Sequence, residues 1–196
     1  METGEALYDA SADNGIVNSI PIVGNIFKAC KAVPDIRNRI FRAKLDRIIQ
    51  VFERVPSETM EKIRQKVAAS PDEPTKVGET LLLVLDKITA LEKAEIIAYV
   101  FIAYTLGHLG SADFRRLSDA IDQAFVDDLK EFLNAQKTSH RTQASYMKRL
   151  ERAGLTFADL NKIPRNRQYR YYVVSDLGTQ LIAAYSAGMK YCRTSK

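Results

Sequence analysis

Between Arg141 and Tyr185 the pattern of apolar residues changes period twice, and that change constrains the fold more than any other stretch of the chain. Ala144, Met147 and Leu150 recur at three-residue steps, which predicts a helix over Arg141 to Ala153 with Gly154 as its stop. Farther on, Tyr169, Tyr171 and Val173 alternate with Arg170, Tyr172 and Val174, the period-two signature of a strand with two unlike faces. Ser175 then stands where a side-chain oxygen would cap a closing helix that buries Leu177, Leu181, Ile182 and Tyr185 and ends near Gly188. Helix, turn, strand pair and helix therefore follow one another, and the basic run Arg165 to Arg170 falls where the hairpin must turn.

Charge is distributed as unevenly as the pattern. Residues 137 to 196 hold 12 Lys and Arg against three Asp and Glu, a surplus of 9; the whole chain carries +5, so residues 1 to 136 net −4. A positive field confined to one part of a chain points to a polyanionic partner, with a solvated basic face as the plain alternative. The 196 residues, 46% of them hydrophobic, suffice for one good core or two small ones.

Upstream, residues 1 to 14 are small, acidic and without period, and read as a mobile arm. Residues 15 to 136 read as a helical bundle and 137 to 196 as a module packed on it. The run from Ile16 to Val33 is strongly apolar but interrupted by Pro21, Asn25, Lys28 and Lys31, so it cannot span a membrane. It reads as a core-packing helix, or else as an interfacial helix giving peripheral membrane contact through residues 16–33.

Pro34 opens a helix carrying Ile36, Ile40, Leu45, Ile48, Ile49 and Phe52, and Pro56-Ser57 opens another with Met60, Ile63 and Val67. Val77 to Ile88, apolar nearly all round, predicts the central core helix. Thr89 and Glu92 have capping-box spacing for a helix ending at Leu106, with Gly107 or Gly110 as the left-handed stop. Ser111 is expected to cap one long helix through Asn134. Its outer face is acidic, with Asp113, Asp119, Asp122, Asp127, Asp128 and Glu131, and it reads as solvated because neighbours such as Asp127 and Asp128 point apart.

Chemistry-bearing motifs are sparse. Cys30 and Cys192 lie at opposite ends of the chain and His108 and His140 stand apart, so the sequence predicts neither a metal site nor a cofactor. There is no glycine-rich phosphate loop and no nucleophile elbow, and His108 between Gly107 and Gly110 reads as a loop residue rather than a base. A non-enzymatic protein is expected. The acidic start, with Glu2, Glu5, Asp9 and Asp13, is unlike a secretory leader, and a reducing cytoplasm is the expected compartment.

The phrases Lys148-Arg149-Leu150-Glu151-Arg152-Ala153-Gly154-Leu155 and Tyr172-Val173-Val174-Ser175-Asp176-Leu177-Gly178 together resemble the bacterial winged-helix regulators. There a recognition helix ends in the first phrase, and a wing leads into the second. The resemblance covers the last third of the chain and implies a winged-helix-like module with a small β-hairpin there; with the helices read upstream, the expected fold is mainly α, an N-terminal helical bundle followed by that module. The resemblance also implies nucleic-acid contacts at Thr142, Ser145, Lys148, Arg149 and Arg152 on the helix and at Arg165, Arg167 and Arg170 on the wing.

A winged helix normally carries a short helix just before the recognition helix, whereas here a polar connector, Ala135 to His140, follows one long helix. Either that helix breaks near Phe125 or the motif is degenerate. The upstream part, Gly78 to Phe125 above all, is similar to small helical proteins of unknown function encoded by bacteria and phages. The phrases Ile20 to Gly24, Val77 to Leu82 and Leu91 to Glu95 carry that likeness.

Two functions follow as expectations. The first is a regulator that binds duplex DNA while its helical body forms a homodimer or receives a signal. The second is an adaptor, active in phage–host conflict, whose basic module docks on an acidic protein.

Overall fold

A computed structural model describes residues 36–67, 73–135, 141–142, 144–159 and 171–193. Among them are eight helices: α1 Ile36–Phe52, α2 Ser57–Val67, α3 Glu73–Lys87, α4 Leu91–Thr105, α5 Ser111–Gln123, α6 Val126–Asn134, α7 Ser145–Leu150 and α8 Asp176–Arg193. Three short strands accompany them: β1 Arg141–Thr142, β2 Thr156–Ala158 and β3 Tyr172–Val174. The chain is mainly helical with a small antiparallel sheet. None of the described helices is long and apolar enough to cross a membrane. Residues 1–33, including the acidic arm and the apolar run 16–33, lie outside the described residues.

The centre of the molecule is α4, not α3. Every residue from Ile96 to Thr105 is buried, because Ile96, Ile97, Val100, Phe101, Ile102 and the alanines between them leave no polar side to expose. The segment expected at the centre, Val77 to Ile88, is one-sided: Leu81, Val84, Leu85 and Ile88 are buried while Leu83 is 70% exposed. A continuous apolar run cannot by itself tell a surrounded helix from one that shows a leucine to solvent.

Helices α1 and α8 pack along α4, with α5 against its remaining side. Phe101 is surrounded by the rings of Phe52, Tyr104 and Phe114 at centroid distances of 5.9, 6.0 and 5.5 Å, and Tyr104 stacks on Phe114 at 5.1 Å. Such pairs contribute about 0.5–1.5 kcal/mol each beyond their buried area. Helices α8 and α4 approach closely at Gly188, where an ideal Cβ would lie 2.0 Å from the Tyr99 carbonyl oxygen. Gly188 is therefore a crossing point, and α8 runs past it to Arg193 instead of ending there.

Two buried lysines tie neighbouring helices to the core. Lys44 Nζ donates to the Leu85 carbonyl at 2.8 Å, joining α1 to the end of α3. Lys93 Nζ donates to the Asp122 carbonyl at the end of α5. Burial holds the Lys93 ammonium below the usual lysine range, partly opposed by the nearby Asp122 carboxylate.

The caps differ from those the sequence suggests. Helix α4 is preceded by Ala90 in extended conformation with no side-chain cap, so Thr89 and Glu92 do not form a capping box. Gly110, not Ser111, occupies the N-cap of α5. The stop at Gly107 is as expected: φ is +82°, and the amides of Gly107 and His108 bond back to the carbonyls of Tyr104 and Ala103, the paired bonds of a glycine-terminated helix.

The expected long helix from Ser111 to Asn134 is two helices. Ala124 and Phe125 are extended, at φ/ψ of −74°/144° and −69°/136°, and Phe125 swings out to 63% exposure. The last turn of α5 is held from outside by Lys93, and α6 begins with Asp127 and Asp128, acids that favour a helix N-terminus. Leu129, Phe132 and Leu133 continue the apolar spacing on the new helix, which is why the sequence conceals the break.

Candidate functional site

The C-terminal part is assembled around α7. The helix buries Tyr146, Met147 and Leu150 and packs against α6 on one side and β2 on the other. Arg141 and Thr142, expected in the helix, instead form β1. Their register is Arg141 opposite Val173 and Thr142 opposite Tyr172. On the other side of β3, Thr156, Phe157 and Ala158 of β2 face Val174, Val173 and Tyr172, so the sheet order is β1-β3-β2 with both pairings antiparallel. The buried Thr156 hydroxyl donates to the Met147 carbonyl at 2.6 Å and fixes the helix to the sheet.

The end of α7 and the start of α8 form one joint. Gly154 has φ +71°, and the amides of Gly154 and Leu155 bond back to the carbonyls of Glu151 and Leu150, so the last turn closes on a left-handed glycine. The Ser175 hydroxyl donates to the Gly154 carbonyl at 2.6 Å, and the Ser175 amide donates to the Leu155 carbonyl at 3.0 Å. Ser175 Oγ also accepts the Gly178 amide at 2.9 Å, which makes Ser175 the N-cap of α8. Gly178 must be glycine for this to fit, since a Cβ there would lie 2.2 Å from the Leu155 carbonyl oxygen. The two sequence phrases that carry the family resemblance are thus in direct contact through their Gly, Leu and Ser residues.

The expected contact residues divide into four groups, of which Arg149 alone makes the last. Ser145, Lys148 and Arg152 are exposed, and their steps of three and four along α7 and its closing turn place them on one side. Thr142 is on β1, not on the helix. Arg165, Arg167 and Arg170 lie outside the described residues.

Arg149 is engaged within the protein. Its Nε donates to Asp128 Oδ2 at 2.7 Å and its Nη2 to Asp128 Oδ1, a two-point pairing of guanidinium with carboxylate. Asp128 is 2% exposed, whereas the Arg149 side chain remains 54% exposed. The Asp128 hydrogen bond is the main reason the guanidinium holds its proton more firmly than usual. Reading Asp128 as part of a solvated acidic face is thereby corrected. The available signal was its spacing: Asp128 stands four residues before Phe132, on the arc that α6 buries.

Other groups with chemical potential are separate. Cys192 is half-buried, its sulfur 3.7 Å from the Val51 carbonyl, and burial pushes the thiol up to about 11. Such a thiol is a poor nucleophile at neutral pH. His108 is exposed, with Nε2 3.3 Å from the Tyr191 hydroxyl. No three His, Cys, Asp or Glu residues come together to hold a metal ion among the described residues. A groove between α3 and α5, about 160 Å³ in volume, is lined by Leu83, Val84 and Ile88 and crossed by the 2.7 Å Lys87–Asp119 ion pair.

Comparison with protein-family models, with curated proteins and with solved structures finds no match.

Proposed function

We propose that this chain is a non-enzymatic nucleic-acid-binding regulator of a bacterial or phage cytoplasm. Its C-terminal part works as a winged-helix-like module on duplex DNA. The observation that carries this reading is the presentation of α7: Ser145, Lys148 and Arg152 share an exposed side of a helix braced by α6, the β1-β3-β2 sheet and the Gly154–Ser175 joint. The break at Ala124–Phe125 supports it further, because it supplies the short helix, α6, that such a module needs before its recognition helix. Long cations on one side of a braced helix suit phosphates, and a short hydroxyl such as that of Ser145 can approach base edges. The local surplus of positive charge adds the sequence-independent attraction, and the arginines Arg165, Arg167 and Arg170 belong to the wing in this reading.

One observation favours a second reading, that of an adaptor docking on an acidic protein. Arg149 is already paired with Asp128, which leaves the helix fewer cations for a phosphate backbone. Duplex binding measured over a range of salt separates the two. The DNA reading expects affinity to fall steeply with salt, and Arg165→Ala with Arg167→Ala to flatten the slope by about 0.9 for each phosphate that is no longer neutralised. Undetectable or salt-insensitive duplex binding would leave the adaptor reading in its place.

A further inference from the structure

We infer that Asp128 is an internal competitor for phosphate, withholding Arg149 from nucleic acid and thereby setting how many phosphates α7 can neutralise. The inference rests on the nucleic-acid reading above and concerns the regulation of that same surface.

The guanidinium meets Asp128 through Nε and Nη2, the same edge with which arginine binds a phosphate in two-point fashion. The carboxylate therefore occupies the place a phosphate would take. Exchange of one anion for the other is unfavourable because the two partners are buried unequally. Asp128 is 2% exposed, so removing Arg149 would leave a carboxylate without its counter-charge where water does not reach it, whereas Arg149 on its open side stays in touch with solvent. Asp128 also lies in the first turn of α6, a position that suits a negatively charged side chain. As a unit the pair is neutral and contributes no counter-ion release when DNA binds. The phosphate-facing charges of α7 are then Lys148 and Arg152. Asp128 is a positioning residue that fixes the α6–α7 crossing and at the same time limits the charge that crossing presents.

Neutralising Asp128 alone should free Arg149 for phosphate. Neutralising both members should remove an arginine from the basic surface without changing its phosphate count. Wild type, Asp128→Asn and the double variant Asp128→Asn with Arg149→Gln are compared by fluorescence anisotropy on a mixed-sequence DNA duplex, giving the slope of log Kobs against log salt for each.

The expected result is a slope steeper by about 0.9 for Asp128→Asn, one phosphate more, and a wild-type slope for the double variant. An unchanged or shallower slope for Asp128→Asn, or a double variant shallower than wild type by about 0.9, would overturn the inference while leaving DNA binding intact. A purely structural pair would lower Tm without steepening the slope, which also counts against it. If Asp128→Asn does not fold, Asp128→Ser, which also removes the carboxylate and suits a helix N-terminus, carries the test with the same expected slope. Failure of all three proteins to bind duplex at low salt would overturn the nucleic-acid reading and this inference with it.

Discussion

Gly188 shows how much one hydrogen atom in place of a methyl group decides. In an exposed helix interior, glycine to alanine gains about 1 kcal/mol from helix propensity. At Gly188 the new Cβ would meet the Tyr99 backbone oxygen at 2.0 Å, and backbone cannot swing aside as a flexible side chain can. Gly188→Ala is therefore expected to reverse the sign and cost about 2 kcal/mol or more, read as a lower midpoint in urea unfolding. Gly110→Ala, whose Cβ would lie an ordinary 3.7 Å from Asp113, should shift the midpoint far less.

Cys192 gives a second residue-scale expectation. Its folded pKa is raised from 9.0 to about 11 by burial, so the folded state keeps a proton that the unfolded chain releases. The stability this contributes is complete below pH 9 and is lost as pH rises to 11. Tyr99 and Tyr146, whose hydroxyls burial also holds above their ordinary range, act in the same direction, and Lys93 opposes them. Thermal melting should show Tm falling over this interval, and Cys192→Ala should reduce the fall; an unaltered profile would mean the thiol is not shielded.

At this scale the sequence was readable where geometry leaves one choice. Gly107 and Gly154 adopt positive φ, and Ser175 caps a helix, as their positions suggested. Thr89 and Ser111 failed as caps because each chain enters its helix through a neighbour, Ala90 or Gly110, and a polar side chain one place out of register cannot reach the free amides.

Among the elements, the junction between α5 and α6 is the informative one. Apolar spacing runs unbroken through Ile121, Phe125, Leu129 and Phe132, so periodicity alone describes a continuous helix. What breaks it is tertiary: Lys93 takes the Asp122 carbonyl, and Asp128 reaches Arg149 on the next helix. The long-range partners were invisible in a local window, which is also why Asp128 read as a surface acid.

The break has a mutational signature. Phe125 is the N-cap of α6, lacks a side-chain cap bond and is 63% exposed. Phe125→Ser should supply the missing acceptor and stabilise by about 1 kcal/mol. A continuous helix burying Phe125 would instead lose about 3 kcal/mol or more on the same substitution. Thermal denaturation of this single variant distinguishes the two by sign.

At the scale of the molecule, one apolar core among the described residues runs from Leu45 on α1 to Ala184 on α8, including Tyr146, Met147, Leu150 and Tyr172 around the candidate site. The basic surface is therefore built on the same core as the acidic helices upstream, and α8 serves both, starting at the Gly154–Ser175 joint and ending against α4. A fragment of residues 137–196 would expose the face of α8 that α4 now covers, so its circular dichroism should be that of a largely unfolded chain. Helical content and the order helix, strand, helix at the C-terminus were legible from periodicity. The central place of α4 was not, because a helix buried on all sides and one buried on a single side can have equally apolar sequences.

The division of charge is the property on which the functional account depends, and Lys148 and Arg152 are its most accessible test. The slope of log Kobs against log salt for duplex DNA should be shallower by about 1.8 in the Lys148→Ala, Arg152→Ala double variant than in wild type, with the fold unchanged by circular dichroism. A wild-type protein that binds duplex with the same slope as the double variant, or that does not bind at low salt, would contradict the account.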